Sequence, residues 1–123
     1  MGVDAGHIRR VFDRYCELVT AGDFEAIALL YAEDATVEDP VGSEPHRGRD
    51  AIREFYRASA GGVALELEGR VRVAANAGAG AMVARPKADA GLRVETLDVM
   101  TFDDAGLVTS MRAYWSADTI VRG

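Results

Sequence analysis

The segment Val37-Glu38-Asp39-Pro40-Val41-Gly42-Ser43-Glu44-Pro45 decides how the rest of the chain is interpreted. Residues 35–37 are typical of a β-strand, and Pro40 lacks the N–H that would extend it, so we expect the strand to end at Asp39. A carboxylate at the end of a strand, before a rigid turn, is well placed to face a pocket. The alternative is that Asp39 merely starts the turn, since Asp-Pro is common in turns.

Apolar periodicity predicts three helices, over residues 4–21, 23–31 and 49–57. Asp4 is a suitable N-cap for the first helix, and Gly22 ends it. Tyr15 lies in the apolar stripe of that helix, so its ring should be buried and its hydroxyl should need a hydrogen-bond partner.

Beyond the helices the apolar residues alternate, which is typical of β-strands. We expect strands over residues 63–67, 71–73, 79–84, 92–102 and 107–115. Residues 103–106 form a hairpin turn between the last two. Helices followed by a long antiparallel meander predict a single α+β domain over residues 1–123. The helices should cover one face of a curved sheet, with a pocket in the concave space between them.

Asp98 is the ionisable residue on one face of the strand 92–102. The other side chains of that face are those of Leu92, Val94, Thr96, Met100 and Phe102. Burial among such neighbours disfavours the charged carboxylate and raises its pKa, so the group can remain a protonated hydrogen-bond donor near neutral pH. The alternatives are that the strand faces are reversed, or that Asp98 lies at an exposed edge.

Composition restricts the classes of function. The chain has 49% hydrophobic and 28% charged residues, a net charge of −6 and a pI of about 4.8, so it should be an ordinary globular protein that does not bind nucleic acid. No apolar run is long enough to enter a membrane. Its one cysteine, Cys16, should be a buried thiol, which suits the cytoplasm. His7 and His46 are too few for a histidine-rich metal site, and we expect His46 to be exposed.

Asp39, Asp98 and Tyr15 together suggest a base and two hydrogen-bond donors. Such a set suits proton abstraction next to a carbonyl, with the resulting enolate oxygen held by the donors. The sequence pattern alone does not bring the three side chains together.

Long segments of the chain resemble the bacterial Δ5-3-ketosteroid isomerases. They are YAEDATVEDPVGSEP (31–45), AIREFY (51–56), LDVM (97–100) and MRAYWS (111–116), within a resemblance that runs from about residue 11 to residue 116. It implies the α+β fold shared with nuclear transport factor 2, a homodimer packed through the sheets, and a reaction without cofactor or metal. That reaction converts 3-oxo-Δ5-steroids into 3-oxo-Δ4-steroids.

The resemblance also implies a role for each site residue. Asp39 corresponds to the base that moves a proton from C4 to C6 of the steroid, while Tyr15 and Asp98, as a neutral acid, correspond to the donors to the 3-oxygen. Tyr56 and Tyr31 correspond to tyrosines that extend a hydrogen-bond chain behind Tyr15; alternatively, they are ordinary core tyrosines. The residues that we expect to line the pocket are Trp115, near the base, with Met100, Phe55, Phe102 and Met82.

Residues 82–91 depart from the isomerase pattern, because no aromatic residue occurs between Tyr56 and Phe102 and Pro86 should cut its strand short. The departure affects the fit of the substrate more than the chemistry. Three other functions stay open: an epoxide hydrolase or polyketide cyclase of the same superfamily, a steroid-binding module without turnover, and a purely structural dimeric domain.

Overall fold

The computed structural model describes residues 2–123. Its helices are α1 (Ala5–Ala21), α2 (Phe24–Ala28) and α3 (Arg49–Ser59). Its strands are β1 (Tyr31–Glu38), β2 (His46–Arg47), β3 (Val63–Leu67), β4 (Arg72–Ala74), β5 (Ala77–Pro86), β6 (Leu92–Phe102), β7 (Val108–Tyr114) and β8 (Ile120–Arg122), with a short 3₁₀ turn at Ala117–Thr119. The α+β order that the sequence predicted is confirmed, and the short strands β2 and β8 were not foreseen.

Helix α1 begins and ends where its capping residues predicted. The Asp4 carboxylate accepts a hydrogen bond of 2.7 Å from the backbone N–H of His7, and Gly22 adopts a left-handed conformation with φ of 78°. One face of the helix is buried and carries Ile8, Val11, Phe12, Tyr15, Cys16, Leu18 and Val19. This face packs against β3, β4 and β5 and forms one wall of the core.

The second helix is shorter than predicted. We expected it to continue to about Tyr31, but α2 ends at Ala28 and Tyr31 is the first residue of β1. The backbone carbonyl of Leu30 accepts a hydrogen bond of 2.9 Å from Val108, so pairing with β7 replaces the next helical turn. The strand then ends at Glu38, one residue before Asp39, and the Asp39–Pro40 peptide is cis.

The sheet runs in the order β2-β1-β7-β6-β5-β3, with β4 paired to β5 and β8 paired to β6. Within the described residues β1 and β7 form the one parallel pair, and the other pairs are antiparallel. β5 extends to Pro86, beyond the predicted residue 84. Its pairing with β6 ends at Ala84, so residues 85–86 pair with β3 on one side only, and a strand with one free side tolerates a proline. The parallel pairing brings the carboxyl ends of β1 and β7 to the same edge of the sheet.

Two glycines let β5 approach α1 closely. A Cβ atom on Gly78 would lie 2.7 Å from Ile8 Cγ2 and 2.9 Å from Phe12 Cε1, whereas one on Gly80 would lie 3.2 Å from the Phe12 ring. The Ala- and Gly-rich sequence of this strand, which alternates less clearly than its neighbours, therefore has a packing reason. The close approach closes one end of the space between helices and sheet.

Cys16 lies in this closed core, as expected. Its thiol donates a weak hydrogen bond to the Met82 sulfur at 3.9 Å, and burial raises the pKa of the thiol to about 12. The thiol is therefore protonated and unreactive at neutral pH.

No helix within residues 2–123 is both long and apolar enough to cross a membrane.

Candidate active site

A cavity of about 340 Å³ opens between α1, α3 and the sheet. Aliphatic and aromatic side chains form most of its wall, which is typical of a site for a small apolar ligand. Its polar side chains are those of Asp39, Asp98, Tyr15, Tyr56, Thr96, Ser59 and Trp115. Two carboxyl groups thus share one largely apolar pocket.

Asp39 lies at the end of β1, where the chain turns into the loop that Pro40 begins. The indole N–H of Trp115 donates a hydrogen bond of 2.7 Å to Asp39 Oδ1. Burial raises the pKa of Asp39 above its ordinary value, while the Trp115 hydrogen bond and the positive charge of His46 oppose that rise. The result is a stronger base than an exposed aspartate, held in one orientation by the indole.

Asp98 is buried, as the alternation of β6 predicted, and 3% of its surface is exposed. Its neighbours in the sheet are Gly80 on β5 and Ala113 on β7, and neither carries a polar side chain. Burial, with a contribution from the negative charge of Asp39, raises the pKa of Asp98 to about 7. Thr96 Oγ1 donates a hydrogen bond of 2.9 Å to Asp98 Oδ1, which opposes the rise. A large share of Asp98 is therefore a neutral acid at neutral pH.

Three buried tyrosine hydroxyls form a chain that ends at the cavity. The Tyr31 and Tyr56 hydroxyls are 2.8 Å apart, and the Tyr56 and Tyr15 hydroxyls are 3.0 Å apart. Burial raises the pKa of all three well above the ordinary value, so all three keep their protons. When Tyr31 donates to Tyr56 and Tyr56 donates to Tyr15, the proton of Tyr15 remains free to donate into the cavity.

The structure brings most of the predicted site residues together. Asp39, Asp98, Tyr15, Tyr56, Phe55 and Trp115 line the cavity, and Tyr31 stands behind Tyr56. The negative charges of Asp39 and Asp98 both contribute to the raised pKa of Tyr15, as expected for groups that share one pocket.

Three residues that we expected in the pocket lie instead in the core. Met82 and Met100 are fully buried, and Phe102 is 2% exposed. Met82 packs on Cys16 of α1, and the Phe102 ring makes an edge contact with the His7 ring, 6.1 Å between centroids. The first helix covers this end of the sheet face, so the cavity begins farther along it, at Asp98.

His46 is half-buried, whereas we expected it to be exposed. Its ring stacks on Phe55 with 4.4 Å between ring centroids and 30° between planes, next to the cavity. β2 pairs with β1 so that His46 lies opposite Val37, two residues before Asp39. This proximity is what allows the charge of His46 to act on the base.

Several wall residues were not predicted: Val19, Ser59, Val63, Leu65, Ala84, Val94, Thr96 and Ala113. The alternation of β3 was the available signal for Val63 and Leu65, since both lie on one face of that strand. The register then aligns Leu65 with Ala84 and Ala84 with Val94, so these three form a row across β3, β5 and β6.

Within residues 2–123 no group of three or more His, Cys, Asp or Glu side chains is arranged to hold a metal ion.

Proteins similar to this chain include a steroid isomerase and an epoxide hydrolase. A Steroid Delta-isomerase from Nocardioides simplex is 47% identical to the chain, over 95% of the chain and 96% of that protein. The Epoxide hydrolase LasB from Streptomyces lasalocidi is 33% identical over 82% of the chain, which corresponds to 38% of that longer protein.

Among solved structures, the epoxide hydrolase/cyclase-like enzyme SalBIII, described with a role in pyran ring formation in polyether salinomycin, superposes with a TM-score of 0.84. It is 28% identical, and the match covers 93% of the chain and 94% of that protein. The model of the SnoaL-like domain matches residues 12–111. The chain therefore belongs to the SnoaL-like family and has the NTF2-like fold, with helices packed on an open, mostly antiparallel sheet.

Proposed function

We propose that this protein is a steroid Δ5-isomerase that converts 3-oxo-Δ5-steroids into 3-oxo-Δ4-steroids. The observation that carries the proposal is the pairing of a base with a buried neutral acid in one apolar cavity: Asp39 is oriented by Trp115, and the pKa of Asp98 is raised to about 7. The 47% identity to a Steroid Delta-isomerase over almost the whole chain supports the same reaction.

The chemistry proceeds in two proton transfers. The carboxylate of Asp39 removes a proton from C4, and the electron pair moves toward the 3-oxygen to form a dienolate. The hydroxyl of Tyr15 and the neutral carboxyl of Asp98 donate hydrogen bonds to that oxygen as its negative charge grows. Asp39 then returns the proton to C6, and the double bond comes into conjugation with the carbonyl. Asp39 takes up and returns one proton and no oxidation state changes, so the two steps require no redox cofactor.

The environment of the site fits a steroid better than a polar substrate. The cavity wall is mainly aliphatic and aromatic, and its volume lies in the range of about 300 to 1,000 Å³ that small-molecule sites occupy. Burying an apolar ligand there contributes about 25 cal/mol for each Å² removed from water. The polar side chains of Asp39, Asp98 and Tyr15 in the same wall would meet the 3-oxygen and the carbons beside it.

The proposal includes the state of the protein in the cell. We propose a single domain that works as a cytoplasmic homodimer. Support for a dimer comes from the outer face of the sheet, where Leu97 is 42% exposed and Tyr114 is 43% exposed on neighbouring strands. Apolar side chains in that position favour contact with a second sheet.

The test is the absorbance of the conjugated enone after a Δ5-3-ketosteroid is added to the wild-type protein and to Asp39→Asn. Fast turnover by the wild type and a rate roughly 100- to 10,000-fold lower for the variant are expected, because the amide cannot accept the proton. Steroid binding without turnover in either protein would instead indicate a binding module.

A second candidate is epoxide opening, favoured by the similarity to LasB and SalBIII. Asp39 as a base could activate a nucleophile while neutral Asp98 protonates the epoxide oxygen, so the same two carboxyls would serve. Turnover of an aryl-substituted epoxide without any isomerisation of the steroid would favour this candidate over the first.

A further inference from the structure

The two oxygens of the Asp98 carboxyl have different surroundings. Oδ1 accepts the hydrogen bond from Thr96, 2.9 Å away, and Oδ2 has no hydrogen-bond partner within the described residues. No buried side-chain oxygen or nitrogen in that part of the chain lacks a partner, so Oδ2 must be accessible. Because Asp98 lines the cavity, its accessible oxygen faces the space that the substrate would occupy.

Thr96 is placed for this contact by the strand itself. Residues two apart on β6 share a face, so Thr96 and Asp98 both point into the cavity. A threonine hydroxyl can donate to Oδ1 whether the carboxyl is neutral or charged. In the neutral acid the carbonyl oxygen is the better acceptor, so the bond from Thr96 favours the form in which the proton lies on Oδ2.

We propose that Thr96 is a positioning residue that holds Oδ1 of Asp98, so that Oδ2 presents its proton to the substrate oxygen and the reaction has a defined upper pH limit. The proposal rests on the proposed isomerase function and deepens it. Thr96 has two effects: it orients the acid, which favours catalysis, and it stabilises the carboxylate, which lets the acid ionise at lower pH than it otherwise would.

Few other titratable groups that surround Asp98 can affect its pKa. On α1 they are Tyr15 and Cys16, on β1 Tyr31, and after β1 Asp39. The two tyrosines and the cysteine have raised pKa values and remain neutral at neutral pH. Asp39 is the remaining charged group, and its charge raises the pKa of Asp98, so Thr96 and Asp39 act in opposite directions.

The experiment compares Thr96→Val with Thr96→Ser. Valine has nearly the shape of threonine without the hydroxyl, and serine retains the hydroxyl. For each protein we would measure kcat/KM against pH with a Δ5-3-ketosteroid, and the titration of the Asp98 carboxyl carbon by ¹³C NMR. The first readout reports ionisations of the free enzyme, and the second requires no turnover.

For Thr96→Val we expect the alkaline limb of kcat/KM and the NMR titration of Asp98 both to move to higher pH, with Thr96→Ser near the wild type. Below that limb, Thr96→Val should be about 2- to 10-fold slower, because a hydrogen bond worth about 0.5–1.5 kcal/mol no longer orients the acid. A purely structural role would lower the rate without moving the limb.

An Asp98 titration that Thr96→Val leaves unchanged, or moves to lower pH, would overturn the proposal. A wild-type protein that fails to isomerise the steroid would overturn the proposed function and the catalytic part of this inference. The NMR comparison would then still decide whether Thr96 holds the carboxyl, so the two failures are distinguishable.

Discussion

The indole N–H of Trp115 donates a 2.7 Å hydrogen bond to Asp39 Oδ1, and the two residues follow strands that run side by side in the same direction. Glu38 at the end of β1 is aligned with Arg112 on β7, so both strands leave the sheet at the same edge. The parallel pairing is thus what places the indole beside Asp39. The pKa of Asp39 therefore depends in part on this strand pairing, because the Trp115 hydrogen bond lowers it.

Trp115→Phe should make the enzyme more sensitive to acid. The phenyl ring keeps an aromatic wall but removes the donor, so the pKa of Asp39 should rise. Because the carboxylate is the active form, kcat/KM should fall off at a higher pH than in the wild type. Above that limb, where the Asp39 carboxylate prevails in both proteins, rates should agree within a few-fold. An unchanged acid limb would contradict this role.

His46→Phe separates the charge of His46 from its stacking. The new ring can still stack on Phe55, but the positive charge that lowers the pKa of Asp39 is lost, so the acid limb of kcat/KM should move to higher pH while KM is retained. His46→Ala removes both features and should also raise KM. Steady-state kinetics across pH would measure both the acid limb and KM. Equal KM values for the two variants would exclude a role for the stacking of residue 46 on Phe55 in substrate binding.

Asp98→Asn should change how stability depends on pH. The pKa of Asp98 is raised to about 7 in the folded protein and is about 3.9 in an unfolded chain, so the folded state keeps a proton that the unfolded state releases. Stability is therefore lost as pH rises between about 4 and 7, by a total on the order of 4 kcal/mol.

The asparagine variant lacks this titration, so it should lose less stability over that interval and be more stable than the wild type at about pH 8. Urea unfolding at the two ends of the interval provides the measurement. Parallel stability curves for the two proteins would show that Asp98 ionises normally. They would also remove the neutral acid from the mechanism.

The tyrosine chain predicts a ranking of rates. Tyr15→Phe removes a donor to the substrate oxygen and should cost roughly 100- to 1000-fold in kcat. Tyr56→Phe breaks both hydroxyl contacts in the middle of the chain, whereas Tyr31→Phe removes the end farthest from the cavity. We expect losses of about 10-fold and about 2-fold for these two, since each acts through its neighbour. A slower Tyr31→Phe than Tyr56→Phe would contradict the order of the chain.

Gly78→Ala should destabilise the fold. Its new methyl group would lie 2.7 Å from Ile8 Cγ2 and 2.9 Å from the Phe12 ring, so α1 or its side chains must move, at a cost of about 1–3 kcal/mol. Gly80→Ala is the matched comparison, with nearest contacts of 3.2 Å and a smaller expected effect. Thermal unfolding of both variants would test the order, and equal melting temperatures would argue against close packing at Gly78.

Three residues of the candidate site were predictable because each one breaks or completes a local pattern. Asp98 interrupts an apolar strand face, Tyr15 lies in an apolar helix stripe, and Asp39 precedes a proline turn. Their convergence was not predictable from pattern, because it depends on the pairing of β1 with β7 and on the register that sets Gly80 beside Asp98. Such long-range contacts leave no periodicity in the chain.

The errors have the same origin. Tyr31 lies at a helical spacing from the apolar residues before it, which predicted a longer helix. The backbone hydrogen bond between Leu30 and Val108 instead places residues from Tyr31 onward in the sheet. Met100 lies on the same face of β6 as Asp98, and the alternation of the strand identifies that face. The alternation does not show how far along this face α1 covers the sheet, and Met100 lies under the helix. Local sequence therefore indicates which side of an element is buried, while the neighbouring element decides whether it faces core or cavity.

The row formed by Leu65, Ala84 and Val94 separates recognition from chemistry in this fold. Its side chains shape the far wall of the cavity, and none of them contributes a proton, a charge or a hydrogen bond to the reaction. Mutations that enlarge or shrink the row would change which carbon skeleton fits, while base and acid stay in place. Descendants of one ancestral gene could thus acquire new substrates by small steps without passing through an inactive form.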